Sequence, residues 1–470
     1  MKDLSSEFAK RLAQKFKYLA DDLHALRTYS KDLWPRNLIL AREVDPSEPT
    51  VDAVFWPDSV NELSEFVLFA NENNIEMIPY GAGSGVCGGS TPLSKANNRR
   101  VVVDLKRLDK IEAIDEISQT AKVQAGIIGQ VLEEDLNQKG YTFGHFPSSI
   151  YCSSFGGYLA TRAAGQLSTY YGKIEDMVLS IQGVLPDGTI FETCNTPRMS
   201  VGPDWNQLLM GSEGSLAFLT SAWVKIHRLP QNRRFLSWTV KSSAEALDGV
   251  RQWLQAGLRP AVIRIYDEDE SRMLMGIKDG VKLVCVVEGD TDLTEFTANQ
   301  IEKNCHANDS FNFTGEEPAQ HWWSHRYDVS YRQQQIMSHR RLILDTFEVA
   351  TTWSKLIDLH KAIKQVPSQF KNNTLIILAH FSHFYHTGGN IYFTLCGVAD
   401  EKEKTVDFYD KVWDALLTAC ANQGAALSHH HGIGRLKARA FQKTSFAPLL
   451  RKLKNELDPK HLLNAENLGL

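Results

Sequence analysis

Pro79-Tyr80-Gly81-Ala82-Gly83-Ser84-Gly85 decides the reading of this 470-residue chain. The run from Glu76 to Tyr80 predicts a buried strand, and the glycines after it leave successive backbone N–H groups free to line a concave nest. Such a nest binds phosphate without a side-chain charge. A rival reading exists, because Asp104 ends the apolar run Val101-Val102-Val103 roughly where a Rossmann turn would place its ribose-binding acid. A Rossmann turn must open a helix, however. Val86-Cys87-Gly88-Gly89-Ser90-Thr91-Pro92-Leu93 carries two more glycines and a proline with no helical period, which disfavours that rival. A loop that is glycine-rich only because its turns are tight would remain an alternative if the loop stood alone.

Working outward, apolar residues recur at spacings of three and four from Leu4 to Leu26 and predict an amphipathic helix over residues 4–28. Strands are predicted at 51–56, 101–104, 121–125 and 177–185, and helices at 59–73 and 128–139. Beyond Leu229-Pro230 a new series begins, with strands at 235–240, 283–288 and 390–396 and helices at 244–255 and 402–422. The fold class is α+β. Four parts are expected: an N-terminal helical segment (1–46), a nucleotide-binding domain (47–229), an α/β substrate or cap domain with an antiparallel sheet (230–425), and a C-terminal segment (426–470) that returns to the site.

Composition is that of a globular protein, 43% hydrophobic and 23% charged, with a formal net charge of -5 and no long basic block. Nucleic acid is therefore an unsupported partner, and a small molecule the expected one. The seven cysteines (Cys87, Cys152, Cys194, Cys285, Cys305, Cys396 and Cys420) form no Cys-x-x-Cys pair, so neither a disulfide framework nor a zinc knuckle is indicated. With no signal-peptide core near Met1, a cytoplasmic location is expected.

The glycine loop has company. Ser153-Ser154-Phe155-Gly156-Gly157-Tyr158, Thr161-Arg162-Ala163-Ala164-Gly165, Tyr171 to Asp176 and Gly211-Ser212-Glu213-Gly214-Ser215 follow it in order. Together these segments resemble the FAD-binding domain of the vanillyl-alcohol oxidase and p-cresol methylhydroxylase superfamily, over about residues 50–228. The resemblance implies a two-subdomain PCMH-type domain in which Pro79, Tyr80, Gly81, Ala82, Gly83, Ser84 and Gly85 hold the FAD pyrophosphate. Further flavin contacts are implied at Ser148, Ser149, Ser153 and Ser154, at Thr161, Arg162, Ala163 and Ala164, and at Glu213, Gly214, Ser215 and Leu219. Members that tether FAD through a histidine carry it where this chain has Gly83, so FAD is expected to be non-covalent. Cys152 falls where doubly tethered members carry a cysteinyl link, and a small buried cysteine is the simpler reading.

Two later segments are dense in titratable groups: His380-Phe-Ser-His383-Phe-Tyr385-His386-Thr-Gly388-Gly389-Asn390-Ile-Tyr392 and Ser428-His429-His430-His431-Gly432-Ile433-Gly434. On an extended chain three consecutive side chains alternate faces, so at most two of His429, His430 and His431 reach one site, and metal binding is disfavoured. In the metal-dependent 2-hydroxyacid dehydrogenase branch the ligands are two histidines and a Glu. Here Tyr385, Tyr392 and His430 occupy those places. Both segments instead resemble the alkyldihydroxyacetonephosphate synthase family, as do Gly144-His145 and Pro197 to Pro203.

That resemblance implies non-redox chemistry at flavin N5, in which the acyl group of acyl-dihydroxyacetone phosphate is exchanged for a fatty alcohol. It implies Tyr385 as general acid/base, with a phenol of depressed pKa beside positive charge or a histidine, together with His429, His430 and His431. Arg264 is implied as a second arginine needed for activity, and Arg332 as the substrate-phosphate ligand. No metal is expected. A lipid substrate leaves peripheral membrane contact and a homodimer open. The alternatives are an FAD-linked oxidase or dehydrogenase of an alcohol or 2-hydroxy acid, and a flavin-binding protein without catalysis.

Overall fold

The computed structural model describes residues 6–43, 49–92, 98–328 and 339–470. The strand Glu76–Tyr80 forms where expected, pairing parallel with Arg100–Asp104, which in turn pairs parallel with Ala53–Phe55. The helix Val60–Glu72 is capped by Ser59, whose side chain accepts from Glu62 N, and packs Leu63, Phe66 and Val67 on this sheet. A second, five-stranded antiparallel sheet follows, in the order 111–115, 120–124, 218–225, 178–184 and 190–192.

The apolar spacing near the N-terminus does not yield one helix. Asp22 starts a new helix at Leu23 by accepting from Ala25 N at 3.1 Å, so the segment divides into Glu7–Ala13 and Leu23–Tyr29. Between them Leu19 and Ala20 pair antiparallel with Phe55 and Val54. A local cap and an edge pairing override a continuous stripe, and Leu23 ends up 52% exposed.

The second half holds a seven-stranded antiparallel sheet, in the order 311–313, 232–240, 281–289, 262–266, 374–385, 388–398 and 342–352. Its two faces differ in chemistry. Phe347, Val349, Phe381, Ile391 and Phe393 join the large core beneath the helices Leu356–Lys364 and Thr405–Asn422. The register sets Glu348 opposite Tyr392, Tyr392 opposite His380, and Asn390 opposite Ser382, so these alternate residues share the other face. On that same face Val262 and Val286 join the core of the first half. A polar strip of the second sheet thus looks toward the nucleotide-binding half.

The C-terminus closes the arrangement. Met77 N donates to Leu462 O at 2.6 Å and Asn464 N to Met77 O at 2.7 Å, which adds the chain end to the edge strand that feeds the glycine loop. The mixed helices and antiparallel sheets are those of the expected α+β class.

Candidate active site

The glycine loop carries no side chain at Gly81, Gly83 and Gly85 and only small ones at Ala82 and Ser84. Gly83 adopts φ +67°, and a Cβ there would meet Tyr80 Oη at 2.0 Å; a Cβ on Gly81 would meet Ser154 Oγ at 2.2 Å. Leu33 N donates to Gly83 O at 3.0 Å and Tyr80 Oη to Lys31 O at 3.3 Å, which fixes the loop from its outer side. Among the described residues the backbone N–H groups of Ala82, Gly83, Ser84 and Gly85 donate to no protein acceptor. Four adjacent unpaired donors are the complement of a phosphate, so the cradle fits a pyrophosphate. Asp104 accepts from Tyr29 Oη at 2.7 Å and Trp56 Nε1 at 3.0 Å, and that occupied carboxylate leaves nothing for a Rossmann ribose.

Ser154 caps the helix Phe155–Thr161 by accepting from Gly157 N. Ser153 Oγ lies 3.0 Å from Ser149 Oγ and 2.9 Å from Tyr158 Oη, while Ser148 Oγ accepts from Gln166 Nε2 at 3.2 Å. Thr161 Oγ1 donates to Gly157 O, and Ala163 and Ala164 are buried. Arg162, in the left-handed region, spends its guanidinium on the carbonyls of Met210 and Gln207. The Glu213 carboxylate accepts from Ile433 N at 2.6 Å and Gly434 N at 2.9 Å, and burial pushes its pKa up to about 7. Leu219 is core. At Arg162, Glu213 and Leu219 the side chains therefore serve the protein, and what these positions offer a ligand is backbone. The buried hydroxyls of Ser212 and Ser215 have no partner.

The described catalytic candidates of the second half converge; Arg332 lies outside the described residues. Tyr385 Oη and His429 Nε2 are 2.8 Å apart, and His429 Nδ1 is 2.8 Å from His430 Nδ1. Burial is the main cause holding both imidazoles well below their usual pKa, so both are neutral. Burial also raises the Tyr385 phenol. The expectation of a depressed phenol is corrected: burial raises it, and the nearby carboxylates of Glu175 and Asp176 raise it further. Two proton arrangements fit these bonds: Tyr385 donates to Nε2 of His429, whose Nδ1–H donates to His430, or the chain runs in reverse with His429 Nε2–H donating to the phenol oxygen. His430 stacks on Tyr392 with centroids 6.0 Å apart, whereas His431 turns toward Glu348. His383, at φ +51°, bonds Ser168 Oγ through Nδ1 at 2.7 Å. Arg264 places one N–H 3.2 Å from His380 Nδ1 and leaves its buried Nε unpartnered.

The match with known proteins follows these two halves. A family model described as FAD binding domain covers residues 51–193, and one described as FAD linked oxidases, C-terminal domain, covers 229–468. The chain belongs to the FAD-linked oxidase family. An alkyldihydroxyacetonephosphate synthase of Caenorhabditis elegans is 29% identical over 89% of this chain and 76% of its own length. An uncharacterized FAD-linked oxidoreductase of Escherichia coli is 30% identical over 88% of both. A solved alkyldihydroxyacetonephosphate synthase structure superposes with a TM-score of 0.82 at 27% identity, covering 99% of this chain and 85% of that one. FAD is the cofactor of this family member.

Sequence reasoning missed how this member of the FAD-linked oxidase family holds its histidines. Glu348, 0% exposed, accepts at Oε1 from the backbone N–H of His429 (3.2 Å), His430 (3.1 Å) and His431 (2.8 Å), and from Ser428 Oγ. Its Oε2 takes Lys437 Nζ at 2.9 Å. Burial alone would raise this carboxyl; the Lys437 ammonium and the surrounding donors outweigh it and hold it well below the usual range. A lone charge inside Phe347-Glu348-Val349 was the available signal. His145 was noted only as part of a motif. It is buried, and neither ring nitrogen has a partner.

Proposed function

We propose that this flavoenzyme exchanges the acyl group of acyl-dihydroxyacetone phosphate for a fatty alcohol. The observation that carries the reading is the neutral Tyr385–His429–His430 chain. Such an exchange leaves the oxidation level of the substrate unchanged, so the protein must take up a proton at one stage and return it at another. A phenol paired with a neutral imidazole does both without creating a net buried charge. Bound FAD supplies the reactive flavin ring. The loop Pro79–Gly85 holds its pyrophosphate, and the side-chain-free position of Gly83 makes the attachment non-covalent. Arg332 binds the substrate phosphate, and Arg264 is the second arginine that the activity needs. The likeness to alkyldihydroxyacetonephosphate synthases supports this substrate class.

Incubation of the FAD-loaded enzyme with acyl-dihydroxyacetone phosphate and a labelled fatty alcohol is expected to give labelled ether. A second reading, oxidation of an alcohol or 2-hydroxy acid, is supported by the likeness to an FAD-linked oxidoreductase. Anaerobic bleaching of the flavin by such a substrate, with no ether formed, would overturn the exchange.

A further inference from the structure

Asn390 is fully buried, at 0% exposure, and among the described residues neither its Nδ2 nor its Oδ1 has a hydrogen-bond partner. Because both ends are open, the choice of amide orientation does not alter this. A buried amide left unpaired is destabilising, and folded proteins rarely keep one without a use for it. Its position supplies the use. Asn390 lies on the polar face of the seven-stranded sheet, opposite Ser382 on one neighbouring strand and Ala350 on the other. Two residues along the strand, about 7 Å away, is Tyr392, opposite His380. Two residues the other way is Gly388, opposite Tyr385. Asn390 therefore sits between the row of Tyr392 and His380, whose ring nitrogen bonds Arg264, and the row that carries the phenol. Other unpaired buried atoms belong to the same region: Arg264 Nε, His431 Nδ1 and Glu270 Oε2, whose carboxylate is 3.5 Å from His380.

We propose that Asn390 contacts the substrate and reads an α-hydroxycarbonyl unit, its Nδ2–H donating to the carbonyl oxygen and its Oδ1 accepting from the hydroxyl on the adjacent carbon. An amide offers one donor side and one acceptor side, and that unit offers the reverse pair on neighbouring atoms. The assignment deepens the exchange reading in so far as a dihydroxyacetone head is an α-hydroxyketone. It holds equally for a 2-hydroxy acid, so it does not stand or fall with the exchange.

The test uses FAD-loaded enzyme with dihydroxyacetone phosphate and glycolate as separate calorimetric probes, on the wild type and Asn390→Leu, an apolar side chain of similar size. The orphaned amide predicts opposite effects in one variant. Without ligand, Asn390→Leu is expected to melt higher than the wild type, because an unpaired polar group has been removed from the interior. Its affinity for whichever probe the wild type binds is expected to fall about 10-fold or more, the loss for one buried hydrogen bond. The visible flavin spectrum and FAD content should not change. A lower melting point with unchanged probe affinity would make Asn390 structural, and loss of FAD would make it a flavin contact; either overturns the proposal. So does failure of the wild type to bind either probe. If leucine disturbs packing, Asn390→Ala must show the same loss of affinity. Asn390-dependent binding of glycolate with none of dihydroxyacetone phosphate would sink the exchange reading and leave this assignment standing.

Discussion

The glycine loop and the histidine segment solve opposite problems. Residues 81–85 make a site by keeping side chains absent or small, and among the described residues no protein acceptor uses the backbone donors of 82–85. Residues 428–431 make a site from side chains, and there the backbone donors are consumed by a carboxylate 81 residues earlier than His429. The first device is local and the second is not. A phosphate cradle needs only a strand and small residues, whereas an imidazole pair at fixed spacing needs its main chain pinned from elsewhere.

The sharpest test of that contrast is Glu348→Ala. It strips the acceptor from three backbone N–H groups and a hydroxyl and leaves Lys437 buried without its partner; the expected destabilisation is about 3–5 kcal/mol by denaturant unfolding. If the loss stays within the range of a surface substitution, the histidine segment is held by something else. Next comes Tyr385→Phe, which should retain FAD and lower turnover at least about 100-fold, the usual worth of a positioned acid/base group. Full activity in that variant would remove Tyr385 from the chemistry. On the other side of the comparison, Gly83→Ala forces a Cβ into the left-handed region against Tyr80. It should raise the FAD dissociation constant by roughly 10-fold, from about 1–2 kcal/mol of strain, measured by reconstitution of apoprotein.

Acidity separates the two regions by sign. Glu348 has a folded pKa below its ordinary 4.5, so its stabilisation is complete above that pH and is lost as the pH falls below it. Glu213, which joins the glycine-loop half to Gly434, is raised from 4.5 to about 7, so the folded state holds the extra proton and stability falls as the pH rises across that window. Melting curves should show Glu213→Gln gaining on the wild type between about pH 4.5 and 7, and Glu348→Gln losing its deficit only below about pH 4.5. The smallest effect expected is none at all: acid precipitation should release every flavin into the supernatant, and a yellow pellet would reveal a covalent link.

What the sequence disclosed follows the same division. Glu76–Tyr80 and the cap at Ser59 were readable because each depends on residues within a few positions. The FAD-binding half and the α+β class were readable because small-residue motifs keep a fixed order. The N-terminal stripe misled, since periodicity does not register that Asp22 begins a second helix. Glu213 was implied as a flavin contact by the family resemblance, and its carboxylate is taken by two backbone donors 220 and 221 residues later, a pairing no local pattern reveals. The Tyr385 phenol was expected to be acidic because histidines surround it, and burial makes those same histidines uncharged. Glu348 and Lys437 were invisible as a pair, because each is an ordinary charge until the sheet brings them together.

The return of the chain end to Met77 has a consequence for how the protein is made. Cys87 and its contact Gly432 are 345 residues apart, which a ribosome covers in roughly 20–70 s. Throughout that interval the strand leading into the cradle lacks the neighbour that Leu462 to Asn464 will provide, and its edge stands open to other chains. That edge is therefore covered only after Leu462 to Asn464 have been made, and slow decoding between Gly432 and Asn464 should show as aggregation of nascent chains before it shows as lost activity.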